Sequence, residues 1–188
     1  MDRLKKGSLE ALPASENACE GMKMKILAVD PGNILSAYAV MELPDFKLYE
    51  FGKIDNNDLI ERLTALSKAV DHAAIEMIAS YGMAVGKSVF DTCVWIGRFW
   101  QEMKMNGVEP ILVYRSQEKM CLCHSMKAKD SNIRTALIDR YAVHDFKTGR
   151  GTKKNPDTFY GVAADVWQAI AVGVTVYENQ MDPAVLTD

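Results

Sequence analysis

The sequence predicts an α/β domain: a five-stranded mixed sheet, its first three strands antiparallel, flanked by helices. Three observations predict it. Short apolar runs joined by tight turns fill residues 25–54, as in an antiparallel meander. Beyond residue 56 the apolar period becomes helical, and helical stretches then alternate with two further short runs. No segment repeats, and 188 residues suit one domain plus tails.

Residues 1–22 read as a polar tail, expected to be disordered. The apolar run Lys25–Asp30 is a buried strand that ends at the Pro31-Gly32 turn. Ser36–Met41 and Lys47–Ile54 are the next strands, with a turn at Pro44-Asp45. Asn57 or Asp58 can cap a helix that carries Leu59, Leu63, Leu66 and Val70 on one face. Ala73–Ile78 is a fourth strand. A long helix over Lys87–Met105 follows, with Phe90, Cys93, Val94, Gly97 and Trp100 at helical spacing, and Asn106-Gly107 stops it. Pro110–Tyr114 is the fifth strand. A basic helical segment comes next, including Asp130–Tyr141 with Ile133, Leu137 and Tyr141 inward. Residues 145–156 form a basic, Gly-rich loop, expected to be mobile. The last helix is expected from near Pro156 to about Tyr177. The domain is thus expected at 23–178, with 179–188 as a C-terminal tail.

Composition narrows the classes. The chain is 48% hydrophobic and 25% charged, with three Trp, which argues for a core and against disorder. No apolar run approaches the roughly 20 residues of a membrane span, and the start lacks a signal-peptide core, so a cytoplasmic location is expected. Four Cys do not make a disulfide framework in a chain of this length. Cys121, Cys123 and His124 form a C-x-C-H cluster. No second Cys/His pair stands at zinc-site spacing, and reduced, packed thiols are the simpler reading. The net charge of −3 hides an asymmetry. Arg115–Lys154 holds ten Lys and Arg against four Asp and Glu, net +6, which leaves −9 elsewhere. Such a face can hold phosphates or serve only as a solvated helix surface.

Three acids stand in costly places. Asp30 ends a strand before a Pro-Gly turn, where a ligand can reach it, although Asp is also ordinary turn chemistry there. Glu76 sits in the apolar run Ala-Ala-Ile-Glu-Met-Ile, with Ala74 and Ile78 sharing its parity. A buried charge there requires a partner or a metal. Asp165 has Gly161, Val162, Gln168 and Ala169 at helical spacing, so it too needs a cation, unless the helix dipole alone favours it. Together the three can converge on one pocket. Carboxylates are the ligands that Mg²⁺ and Mn²⁺ prefer. Two ions about 4 Å apart could activate water and stabilise a leaving 3′ oxygen, the chemistry of phosphodiester hydrolysis.

The Val-Asp-Pro-Gly at 29–32, the Ala-Ile-Glu-Met at 74–77 and the Ala-Ala-Asp at 163–165 resemble, in order and spacing, the three acidic motifs of RuvC-type Holliday junction resolvases, members of the ribonuclease H-like superfamily. The segment Lys127–Arg134 resembles the basic stretch that these enzymes place between the fifth strand and the last helix. The resemblance covers roughly residues 24–177, and its divergence suggests a phage or prophage version. It implies a ribonuclease H-like fold and a Mg²⁺- or Mn²⁺-dependent endonuclease acting on branched DNA, foremost a four-way junction, in recombination, repair or phage DNA processing. It implies catalytic and metal-ligating roles for Asp30, Glu76 and Asp165. Lys127, Lys129 and Arg134, with Lys153 and Lys154 of the Gly-rich loop, are the candidate DNA contacts. Tyr81 and Met83, in a loop that Gly82 and Gly86 make flexible, could wedge into an opened base step. A homodimer is implied as well, because two strands need two sites related by two-fold symmetry. The aromatic-rich helix with Phe90, Trp95, Phe99 and Trp100 is either its seam or a thick core helix.

One departure matters. The family often carries a fourth metal-site residue one turn before the last Asp, and here that position is Val162. A three-acid site is therefore expected, and Asp157, two turns upstream, cannot substitute unless the last helix starts later. Competing readings remain. Gly82-Met-Ala-Val-Gly86-Lys87-Ser88 approaches a phosphate-binding loop of a nucleotide hydrolase, but its glycines are one residue too close. The same fold also serves nucleases of flaps, forks, single strands and RNA–DNA hybrids. A non-catalytic DNA-binding protein is a further alternative, although it would gain by losing acids near phosphate.

Overall fold

The computed structural model describes residues 22–181 except Tyr81 and Met83. The expected N-terminal tail, residues 182–188 and the proposed wedge of Tyr81 and Met83 lie outside the described residues.

Strands β1 (Met24–Asp30), β2 (Leu35–Leu43) and β3 (Lys47–Asp55) form the antiparallel meander. Strand β4 (His72–Met77) pairs with β1 in parallel, and β5 (Ile111–Tyr114) pairs with β4 in parallel. The sheet order is β3-β2-β1-β4-β5, the mixed five-stranded sheet that the sequence predicts. Helices α1 (Asn56–Leu66) and α2 (Lys87–Met105) cover one face. Helices α3 (Arg115–Cys123), α4 (Asp130–Tyr141) and α5 (Val166–Met181) cover the other.

This layering explains the unbroken apolar run of β1. Leu27 and Val29 pack towards α1 and α2, on Leu59, Leu63, Ile96 and Phe99. Ile26 and Ala28 pack towards α5, on Ile170 and Val174. A strand covered on both faces must be apolar at every position. Each buried Ile, Leu or Val contributes about 1.5–3 kcal/mol. Helix α5 lies close to the sheet because Gly173 has no side chain. A Cβ there would stand 2.6 Å from the Met41 methyl and 3.3 Å from Ala28 Cβ.

Several expectations are corrected. Asp55, not Asn57 or Asp58, caps α1, its carboxylate accepting from Asn57 N–H at 2.9 Å. Helix α2 buries Thr92, Ile96, Phe99 and Met103, whereas Phe90 and Val94 are 60% and 62% exposed. That helix carries two apolar stripes, and helical spacing alone does not choose between them. Helix α5 starts at Val166, not near Pro156, and ends at Met181. Residues 143–158 are a built loop. Buried Asp157 accepts from the backbone N–H groups of Val143, His144, Asp145 and Thr158. Asp145 in turn accepts from Lys147, Thr148 and Gly151. Two short carboxylates thus tie down a segment whose glycines and lysines suggested mobility. No helix among the described residues is long and apolar enough to cross a membrane.

Candidate metal centre and nucleic-acid face

Strands β1 and β4 run in parallel and end side by side. Val29 stands in register with Ile75, so the next residues along the two strands are Asp30 and Glu76. Asp30 pairs with Ala37 and Ala37 with Lys53, while Glu76 pairs with Val113. Lys53, Ala37, Asp30, Glu76 and Val113 therefore make one row across the sheet. Ala37 and Val113 belong to the core under α3–α5, so the pleat aims the whole row at that side.

The turn after β1 is locked by residues that the sequence reading missed. Gly32 N–H donates to Ser36 Oγ at 3.0 Å, and that hydroxyl donates to Asn56 Oδ1 at 2.6 Å. Asn56 Nδ2 donates back to the Gly32 carbonyl at 2.9 Å. Ser36 and Asn56 are both wholly buried. A side chain at position 32 would collide with the Leu35 carbonyl, which explains the glycine. The one sequence signal was a polar residue at the start of each of two apolar elements.

Electrostatics mark the Asp30–Glu76 pair. Their carboxyl groups act directly on each other. Burial first, then the charges of Glu76 and Asp165, push the Asp30 carboxyl up to about 8. Burial also raises Glu76, and the Arg115 guanidinium works against that rise. A fourth acid, absent from the sequence-based site, joins them. Glu118 of α3 is wholly buried. Burial and then the Glu76 charge push it up to about 8, against the pull of Arg115. Arg115 Nη1 donates to Glu118 Oε2 at 2.6 Å, and Nη2 donates to Asp130. Glu118 Oε1 is buried with no hydrogen-bond partner among the described residues. Glu118 thus joins the electrostatic surroundings of Asp30 and Glu76 from α3. Val162 is fully buried in the core.

Asp165 differs from its expected setting. It stands immediately before α5, and its carbonyl accepts from the N–H groups of Gln168 and Ala169. Its carboxylate is half-exposed and meets Lys53 Nζ at 2.5 Å. The late helix start brings Asp157 no closer to service, since backbone N–H groups already occupy its carboxylate. Among the described residues no three His, Cys, Asp or Glu side chains close on a single metal position. Asp30 and Glu76 meet, and Asp165 acts on Asp30 through its charge while paired with Lys53. The donor set is still all oxygen, which suits Mg²⁺ or Mn²⁺. Carboxyls raised by burial and by neighbouring negative charge form a site short of positive charge, and a divalent cation would relieve it.

Lys127 and Lys129 are exposed before α4, and Lys153 and Lys154 are exposed on the built loop. Arg134 lies over the Trp167 ring, with Cζ 4.7 Å from its centroid. Cys121 and Cys123 are half-buried free thiols near the end of α3. Lys87, the lysine of the near-miss phosphate loop, points outward and pairs with Asp91.

The sequence matches no protein-family model and no curated protein. Solved structures do match. Thermus thermophilus RuvC superposes with a TM-score of 0.61 at 14% identity, over 84% of this chain and 96% of that one. T. thermophilus RuvC in complex with a Holliday junction substrate gives 0.62 at 14% identity, with the same coverage. A phage or prophage source gains no support from these matches. At that identity the likeness speaks for architecture, and the architecture is plain: this chain has the RuvC-like, ribonuclease H-like fold.

Proposed function

We propose that the chain is a metal-dependent endonuclease that cuts branched DNA, foremost a four-way junction, with Asp30, Glu76 and Asp165 as its catalytic carboxylates. One observation carries the reading. Two half-buried acids stand side by side at the ends of adjacent parallel strands, with a third acting on Asp30 through its charge, on the fold of a protein whose solved complex holds a Holliday junction. Asp30, Glu76 and Asp165 would hold Mg²⁺ or Mn²⁺. The bound ions would lower the pKa of a water and offset charge on the phosphate. The chain's own residues supply the rest. Half-burial on the α3–α5 side thins the bulk water around the Asp30–Glu76 pair. The Ser36–Asn56 lock fixes Asp30. Lys53 balances the charge of Asp165. Lys127, Lys129, Arg134, Lys153 and Lys154 take backbone phosphates, and Tyr81 contacts the opened strand. A second copy docks on the exposed α2 stripe of Phe90 and Val94, which pairs the two sites.

Purified protein with Mg²⁺ or Mn²⁺ should nick four-way DNA faster than three-way, flap or linear DNA. Asp30→Asn, Glu76→Gln and Asp165→Asn should each abolish cutting and preserve binding. A triple variant that cuts as fast as the wild type sinks the assignment. Faster cutting of flaps would keep the site and change the substrate.

A further inference from the structure

Ala164 immediately precedes Asp165, and its backbone is left-handed, with a φ of 46°. Residues with a Cβ rarely adopt that conformation, because the Cβ then crowds the following carbonyl oxygen. Two other non-glycine residues share it among the described residues, Phe46 and His124. His124 caps the end of α3, where a left-handed residue commonly closes a helix. Phe46 lies in the turn from β2 to β3. Ala164 instead stands at the entrance of α5, where there is no helix to close. Strain of this kind gathers at functional sites, and here it adjoins a candidate catalytic acid.

The hydrogen bonds of the entrance show what the strained turn achieves. The first N–H groups of a helix have no partner within it. An Asp placed just before a helix ordinarily turns its carboxylate back onto the second or third of them. At α5 backbone carbonyls take those groups instead. Val166 N–H donates to the Ala163 carbonyl at 3.2 Å, and Trp167 N–H donates to the Ala164 carbonyl at 3.3 Å. The N–H groups of Gln168 and Ala169 donate to the Asp165 carbonyl at 2.9 and 3.2 Å. All four are met without the Asp165 side chain. The carboxylate is left free to meet Lys53 Nζ, and its charge reaches Asp30. Ala164 is itself exposed, so a larger side chain has room there. Position 164 restricts backbone conformation rather than volume.

We propose that Ala164 is a positioning residue for Asp165. Its left-handed turn lets backbone carbonyls cap α5. The Asp165 carboxylate is thereby kept from folding back onto the helix and stays available to the Asp30–Glu76 side and to a divalent ion there. The ion comes from the nuclease reading, whereas the freed carboxylate does not depend on it.

Substitutions at position 164 of the full-length protein test this. Ala164→Gly and Ala164→Asn keep the turn, since both residues tolerate a positive φ. Ala164→Val opposes it, and Ala164→Pro forbids it by fixing φ at about −65°. In the metal-free protein the ¹³C signal of the Asp165 carboxyl, identified by its loss in Asp165→Asn, reports on the Lys53 contact. Adding Lys53→Met should move that signal in the wild-type and Ala164→Gly backgrounds and leave it still in Ala164→Val and Ala164→Pro. Calorimetric titration should show Mn²⁺ binding to Ala164→Gly and Ala164→Asn as tightly as to the wild type. Ala164→Val and Ala164→Pro should bind it about tenfold more weakly, as when a group that orients a metal ligand is lost. The two disfavoured variants guard against one of them failing to fold. A purely structural role would lower their melting temperature and leave the carboxyl signal and the Mn²⁺ affinity as in the wild type, which overturns the positioning role. DNA cut under that outcome leaves the nuclease reading intact. A wild type that binds no Mn²⁺, with a carboxyl signal that still follows residue 164, keeps the positioning role and removes the nuclease reading.

Discussion

Lys53 Nζ and Asp165 Oδ2 meet at 2.5 Å across 112 residues of sequence. Lys53 shares its sheet row with Asp30, so an internal cation stands at the acid cluster. A cation held there competes with a metal. Replacing Lys53 with Met should therefore tighten Mn²⁺ binding by about fivefold, the worth of a partly exposed ion pair near 1 kcal/mol. Calorimetric titration of Mn²⁺ reads this directly, and weaker binding would show that Lys53 does not compete for the site.

The acid pair sets a pH dependence. Asp30 and Glu118 rise from ordinary values of 3.8 and 4.5 to about 8 in the folded chain. The folded state then binds protons more tightly than the unfolded one. The corresponding stability is complete below the ordinary values and is lost as the pH rises towards 8. The melting temperature of the metal-free protein should fall between pH 5 and pH 8, roughly the window between the ordinary and the raised values. Asp30→Asn should flatten that slope, and Mn²⁺ affinity should increase over the same window as protons leave the ligands. A flat melting profile for the wild type would contradict the buried, charge-coupled cluster.

Arg115 answers the charge of wholly buried Glu118. Above pH 8, where Glu118 is charged, removing the cation alone strands that carboxylate. Arg115→Met should cost about 3–5 kcal/mol of unfolding free energy, the usual penalty for breaking a buried pair. Adding Glu118→Leu should restore a large part of it. Urea denaturation of both variants gives the answer, and equal loss in the single and double variants would refute the pairing.

Asp157 is the post around which residues 143–158 wind. Burial opposes its charge, but the backbone N–H groups of Asp145, Val143, His144 and Thr158 hold its carboxyl well below the usual range. Its contribution is present above the ordinary carboxylate pKa and is lost as acid protonates it. Asp157→Ala leaves those donors unmatched, each costing about 1–3 kcal/mol unless water reaches it. Hydrogen exchange at residues 143–145 should accelerate strongly. Unchanged protection there would mean that other contacts hold the loop.

Phe90 and Val94 form the exposed stripe of α2. If that stripe seats a second copy, Phe90→Glu with Val94→Glu should yield monomers by analytical ultracentrifugation. Exposed substitutions of this kind usually change monomer stability by no more than about 0.5 kcal/mol. A double variant that sediments as a dimer would place the seam elsewhere.

Much of this protein was legible in one dimension. Hydrophobic period and turn residues fix where β1 to β5 lie, because burial on one or two faces imposes a local pattern. An acid inside Ala-Ala-Ile-Glu-Met, or at the mouth of a Pro-Gly turn, announces itself because its neighbours are apolar. Other features needed the folded chain. The register that sets Lys53 two strands from Asp30, and the docking of α3 that buries Glu118 near Glu76, depend on contacts far apart in sequence. So does the choice between the stripes of α2. No local period encodes them, since each is decided by which surfaces pack once the elements exist. The polar loop at 145–156 is the sharpest instance: its composition reads as mobile, and its order comes from a buried Asp157 that only the tertiary structure places.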